Sequence, residues 1–315
     1  MTTVFVYEDV TARAIDETQS PIASSLLAEG RAMRDAIVAD FAAIPGVCVL
    51  QDSATASEFC RHVQSADFTL LIAPETRSCL EYLAREVVRL GGKLLGPSPE
   101  AIHLTSDKLA LARHWESTDV ATPRTWPLGE EPGGKRLIVK PRDGAGSQGI
   151  FLPPTRLDHG ELELIAQEYV EGYSASVAFL LGDSSVLPLV PCQQLLSDDG
   201  RFQYLGGRLP IEPTVAGRAI AIATQAIESV PGLRGYVGVD VVLGDDGRDW
   251  IIEINPRLTT SYVGLRVHAK FNLAEAMLKV VRGESVPEFE WHQGTLEFTP
   301  EGRVSRSPGA PGRRG

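Results

Sequence analysis

Two short apolar strands that carry paired acids place the tightest limit on what this chain can fold into. Tyr236-Val-Gly-Val-Asp240-Val-Val-Leu243 and Trp250-Ile-Ile-Glu253-Ile-Asn255 read as strands joined by Gly244-Asp-Asp-Gly-Arg-Asp249. Asp246-Gly247 is a favoured two-residue hairpin turn. With that turn, Asp240 faces Glu253 directly across the ladder, and Asn255 lies further along the same face. Like charges in direct opposition destabilise a sheet. Two carboxylates and an amide oxygen among valines and isoleucines therefore point to a hard divalent cation. Neither strand holds histidine or cysteine, which favours magnesium over zinc. The competing reading is a longer turn, a register slipped by one, and one acid turned to solvent.

A second chemical signal lies earlier, in Val139-Lys140-Pro141-Arg142-Asp143-Gly144-Ala145-Gly146-Ser147-Gln148-Gly149-Ile150. A glycine-rich run after a strand exposes backbone N–H groups that can wrap phosphate oxygens, and Lys140 brings an ammonium to the same place. Gly144 to Gly149 formally satisfies GxGxxG, but a dinucleotide fold needs a helix to start there. Ile150-Phe-Leu-Pro-Pro154 reads instead as a strand ending in two prolines. An ordinary glycine-rich hairpin turn is the remaining alternative.

The whole chain sets the bounds for these signals. Its 315 residues suffice for two or three units with a shared core, and 43% hydrophobic with 23% charged content is that of a soluble globular protein. The net charge of −11 argues against nucleic acid as the main partner. No apolar run reaches the length of a membrane span, and the first residues read as a strand, not an export signal. Cys48, Cys60, Cys79 and Cys192 are scattered, as expected of buried thiols in a reducing cytoplasm.

Along the chain, strand and helix signals alternate over residues 1–100, with Thr3–Tyr7, Val47–Leu50 and Phe68–Ile72 as strands. Ser24–Phe41, Ala56–Val63 and Arg77–Leu90 are the helices between and after them. Repeated βα units imply a parallel sheet covered by helices. A helix at Ser106–Glu116 and a Thr122-Pro123 break lead into mostly antiparallel strands, among them Arg136–Pro141, Ala166–Val170, Ala175–Leu181 and Val186–Leu195. The expected divisions are 1–100, a linker helix and small lobe at 101–171, a large lobe at 172–290, and a largely disordered tail at 291–315. Residues 303–315 hold four arginines and no acids, with Pro, Gly and Ser between them.

A phosphate loop on one unit and an acid pair on the next resembles the ATP-grasp ligases, over most of residues 100–282. The resemblance implies an α/β chain, a parallel pre-ATP-grasp domain followed by a two-lobed α+β ATP-grasp domain. It implies that Lys108 and Lys140 contact the phosphates of ATP, together with Gly144, Ala145, Gly146, Ser147, Gln148 and Gly149. Gln167, Glu168, Tyr169 and Val170 resemble the hinge strand that holds adenine through its backbone. Asp240, Glu253 and Asn255 match the ligands for magnesium or manganese. Arg257, in Asn-Pro-Arg, matches the arginine that steadies an acyl-phosphate transition state; Lys140 shares that catalytic load. One position departs: Ser174 stands where many members carry an acid for the ribose, with Glu171 as its possible substitute.

Ser24–Gly30, Ala73–Thr76, Tyr204–Gly207 and Asn255–Gly264 look like the tyramine–glutamate ligase branch, which serves methanofuran biosynthesis. That similarity implies an amino acid and an amine as small-molecule partners, joined through an acyl phosphate without a side-chain nucleophile. Cys192 then needs no covalent role, and His268 is structural. Glu75 and Arg266 are the candidates for acceptor contacts.

Overall fold

The computed structural model describes residues 1–13, 21–51, 55–144, 149–153 and 162–306. Three parallel strands, β1 (Thr2–Glu8), β2 (Val47–Leu50) and β3 (Phe68–Ile72), form a sheet in the order β2-β1-β3. Helices α1 (Asp9–Ala12), α2 (Pro21–Ala42), α3 (Ala56–Ser65) and α4 (Cys79–Arg89) connect and cover it. The α3 start is fixed by a capping box, Thr55 with Glu58. On one face of the sheet, α3 and α4 bury Phe59, Val63, Leu80, Leu83 and Val87 around Phe5.

The other face belongs to α2, whose Met33, Ile37 and Phe41 recur every fourth residue on one side. Those side chains share one core with Tyr262, Leu265, Met277 and Leu278 from the far end of the chain. The N-terminal unit is thus fused to the large lobe through α2. A half-buried polar contact reinforces the junction. The Tyr262 hydroxyl donates to Asp40 at 2.6 Å, and the Asn272 amide donates to the Asp40 carbonyl at 2.8 Å. Arg266 closes on the same carboxylate at 2.5 Å. Tyr262→Phe removes one charge-assisted bond and is expected to cost about 1.5–3 kcal/mol in denaturant unfolding.

Two helices, α5 (Pro99–Ser106) and α6 (Lys108–Ser117), bridge to the rest. The single helix expected at Ser106–Glu116 is thus preceded by another. Asp107 divides them, because its carboxylate accepts from the N–H groups of Leu109 and Ala110 and caps α6. A small antiparallel sheet follows, β4 (Thr125–Pro127), β5 (Leu137–Pro141) and β6 (Leu164–Glu168), in the order β4-β6-β5.

The large sheet contains β7 (Tyr173–Gly182), β8 (Ser185–Pro188), β9 (Cys192–Leu196), β10 (Tyr204–Leu209), β11 (Gly235–Leu243), β12 (Asp249–Asn255), β13 (Leu296–Phe298) and β14 (Val304–Arg306). Its order is β12-β11-β7-β9-β10-β13-β14, with β8 on β7. Helix α7 (Pro213–Glu228) packs one face; α8 (Ser261–His268) and α9 (Leu273–Val281) pack the other. The strand expected at Val186–Leu195 is two strands, broken where Pro191 supplies no N–H.

The tail is corrected more substantially. Leu296 and Phe298 are buried in the main core, and β13 pairs with both β10 and β14. A side chain on Gly206 would bring its Cβ to 2.0 Å from the Phe298 carbonyl oxygen, so β10 is built for that neighbour. Residues 291–306 are therefore part of the fold. Residues 307–315 lie outside the described residues.

Candidate active site

The acid pair sits where β11 and β12 leave their hairpin. Asp240 opposes Glu253 and Gly238 opposes Asn255, but Val241 opposes Ile251. The loop between Leu243 and Asp249 is one residue off the expected two-residue turn, and a bulge at Ile252 restores the register before Glu253 is reached. The Asn255 amide donates to Asp240 at 3.2 Å. Burial, with Glu253 beside it, pushes the Asp240 carboxyl upward. Burial acts in the same direction on Glu253, but Lys108 and Lys140 outweigh it and hold that carboxyl below its usual range. Two acids and one amide, opposed in one cleft with the Lys108 and Lys140 ammonium groups acting on Glu253, fit a hard divalent cation.

Both lysines expected at the phosphates act on this pair electrostatically, and Lys108 also contacts it. Lys108 Nζ lies 3.3 Å from Glu253 and donates to the Gly144 carbonyl at 3.0 Å. Its placement follows from Asp107, which caps α6 and also grips Arg142 at 2.6 Å. Lys140 stands in β5, buried opposite Ile165. Burial lowers its ammonium to about 8, Glu253 acting against that shift. Gly144 and Gly149 frame the glycine loop; Ala145, Gly146, Ser147 and Gln148 lie outside the described residues.

Arg257 is buried against Glu75 from the loop after β3, with Nε–Oε1 at 2.9 Å and Nη2–Oε2 at 3.1 Å. So the N-terminal unit does supply a residue to the site. Next to it Arg77 and Ser78 adopt the left-handed conformation, at φ 53° and 54°. The Arg77 N–H donates to Asp143, at the root of the glycine loop, at 2.6 Å. Arg266, the other acceptor candidate, is committed to Asp40 and does not line the cleft. His268 is buried and stacks on Trp291, away from these residues in its packing. Burial pushes the Cys192 thiol up to about 12, which suits an inert side chain.

Two cavities meet at the acids. One is lined by Lys140, Gln167, Glu168, Tyr169, Val170 and Ser174, with Phe202 and Ile252 also on its wall. The Tyr169 N–H is used by the Arg136 carbonyl at 2.9 Å, and the Gln167 amide donates to Thr125 at 2.9 Å. Val170 N–H makes no backbone bond among the described residues. Ser174 faces this cavity, whereas Glu171 is paired with Arg136 at the surface. The other cavity is lined by Glu29, Ser176, Tyr204, Arg257 and Thr259–Ser261. Asp240, Glu253 and Gln194 belong to both. Sequence reasoning missed Glu29, Tyr204 and Thr260 as wall residues, although it noted the segments that contain them.

The profile of the ATP-grasp domain matches residues 105–261, and that of the pre ATP-grasp 3 domain matches 31–102. The tyramine–L-glutamate ligase of Methanocaldococcus fervens is 32% identical over 71% of this chain and 69% of its own length. This chain belongs to the ATP-grasp family of ADP-forming carboxylate–amine ligases. The Methanocaldococcus jannaschii tyramine–L-glutamate ligase is 30% identical over 71% of this chain and 65% of its own. A D-alanine–D-alanine ligase of Fusobacterium nucleatum is 28% identical over 53% of this chain and 61% of its own. Among solved structures, a putative ATP-grasp superfamily protein of Archaeoglobus fulgidus superimposes with a TM-score of 0.73 at 26% identity, covering 95% of this chain and 92% of that one. The described part of the ligase has no helix long and apolar enough to cross a membrane.

Proposed function

We propose that this ligase joins the side-chain carboxylate of L-glutamate to the amine of tyramine or of a similar compound. The observation that carries the reading is the wall of Asp240, Glu253 and Gln194 shared by the two cavities. That shared wall supports a reading in which a nucleotide's phosphates occupy one cavity and a substrate carboxylate the other, on either side of one group of acids. Similarity to two tyramine–L-glutamate ligases supports the choice of substrates.

In this reading Gln167–Val170 and Ser174 bound the nucleoside, and Lys108, Lys140 and the 144–149 loop take the phosphates. Asp240, Glu253 and Asn255 would hold a magnesium or manganese ion, which would supply neutralising charge for phosphoryl transfer. The substrate carboxylate oxygen attacks the γ-phosphorus, and ADP leaves. The amine nitrogen then attacks the acyl carbon, phosphate leaves, and the nitrogen gives up a proton. Lys140 and Arg257 face charge that grows during these steps, and Glu75 keeps the Arg257 guanidinium in one orientation. No side-chain nucleophile takes part.

The test is ADP release across amino acid and amine pairs with magnesium present. Release is expected to require both partners and to be fastest with glutamate and tyramine. Release with bicarbonate or a purine intermediate, and none with glutamate plus tyramine, would overturn this substrate assignment.

A further inference from the structure

The turn between β3 and α4 is bent in a way that its own side chains do not explain. Arg77 holds φ 53° and ψ 37°, and Ser78 holds φ 54° and ψ 26°. Successive left-handed residues are unfavourable wherever a Cβ is present. Arg77 is exposed, and Ser78 makes no side-chain bond as the N-cap of α4. A conformation of this kind persists where surrounding contacts impose it.

Those contacts lie on two other parts of the chain. Glu75, 4% exposed, takes the Arg257 guanidinium from the loop after β12. Two residues on, the Arg77 N–H donates to Asp143, just after β5, at 2.6 Å. Between them, Thr76 packs on the first glycine of the loop: a Cβ on Gly144 would meet its hydroxyl at 3.8 Å. The same root is held from its other side by Lys108. The Lys108 N–H donates to the Arg142 carbonyl at 3.0 Å, and Nζ donates to the Gly144 carbonyl at 3.0 Å while lying 3.3 Å from Glu253. One series of contacts thus runs from Arg257 through Glu75, the turn, Asp143 and Lys108 to Glu253.

We propose that residues 75–78 are a brace in which Asp143 and Glu75 act as positioning residues, fixing the root of the glycine loop relative to Arg257. The N-terminal unit then sets the spacing between the groups that face the phosphates and the arginine on the substrate side. The inference rests on the ligase chemistry above and not on the choice of glutamate and tyramine.

The experiment is a double-mutant cycle on kcat for ADP release, run with the amino acid and amine pair that the screen above finds fastest. Asp143→Ala is expected to lower kcat by about 10- to 100-fold, the scale of a small misplacement of reacting groups. Asp143→Asn keeps an oxygen for the Arg77 N–H and should stay within about 3-fold of the parent. Glu75→Asp keeps the charge beside Arg257 but shortens its reach, and should lower kcat by about 10-fold. The double variant Glu75→Asp, Asp143→Ala should lie within about 3-fold of the weaker single variant, because either change opens the same brace. Losses that multiply would show two unconnected residues and overturn the proposal. So would an Asp143→Ala enzyme with parental kcat, or an Asp143→Asn enzyme as slow as Asp143→Ala. An enzyme that uses neither glutamate nor tyramine would refute the substrate reading alone, since the cycle is run on the pair it does use.

Discussion

Lys140→Met is expected to lower ligase turnover by about 10²–10³-fold and yet raise the unfolding temperature of the nucleotide-free protein. The activity loss follows from removing a cation aimed at the transferring phosphate. The stability gain follows from burial. Lys140 is 3% exposed, and its ammonium falls from the ordinary 10.5 to about 8. Folding therefore opposes its charge, by at most about 3 kcal/mol at neutral pH. Methionine fills similar space without that penalty but leaves Glu253 with less compensation, so the net gain is about 1–2 kcal/mol. The pH dependence fixes the cause. Below pH 8 both folded and unfolded chains carry the charge, and the penalty is complete. Between about 8 and 10.5 the folded protein has released the proton while the unfolded chain has not, so the parent gains stability as pH rises. The advantage of the methionine variant should shrink across that window in thermal unfolding. A variant that is less stable than the parent at pH 7, or whose advantage does not change up to pH 10, would mean that Lys140 is not a strained cation.

Such strain is hard to see in a sequence, where Lys140 is one lysine in a short apolar strand. Lys140 pairs with β6, and the acids that offset its burial, Asp240 of β11 and Glu253 of β12, lie far along the chain. The acid pair was more legible, because alternation and a turn suffice to bring Asp240 opposite Glu253. The same reasoning misplaced the turn by one residue, and only the bulge at Ile252 returned the expected pairing. Helix α8 left no signal. Thr-Thr-Ser-Tyr has weak helix propensity, and Ser261, Tyr262, Val263, Gly264 and Leu265 are all buried, so no amphipathic stripe exists to read. The strands β13 and β14 are three residues each, and the arginine, glycine and serine around β14 disguised them as a loose tail. Contacts such as Asp40 with Arg266, or Glu75 with Arg257, join residues that no local pattern relates.

Glu253→Gln separates the site's chemistry from its packing, and it is expected to reduce ADP release by about 10³-fold or more. The substitution keeps the side-chain volume and removes one charge from the proposed metal ligands. Two electrostatic consequences then act in opposite directions on the fold. Asp240 loses the like charge that pushes it upward, which relieves the opposed pair. Lys108 loses its carboxylate at 3.3 Å, and Lys140 loses the neighbour that counters its burial. These effects offset one another, so thermal unfolding should shift by no more than a few degrees while catalysis collapses. A metal titration distinguishes a weakened ligand from a lost general electrostatic contribution. If Glu253 binds the cation, the residual activity should need more magnesium than the parent does. Near-normal turnover at the parent's magnesium requirement would remove Glu253 from the metal site. A variant that fails to fold would show that the lysines, not the cation, are what the carboxylate chiefly serves.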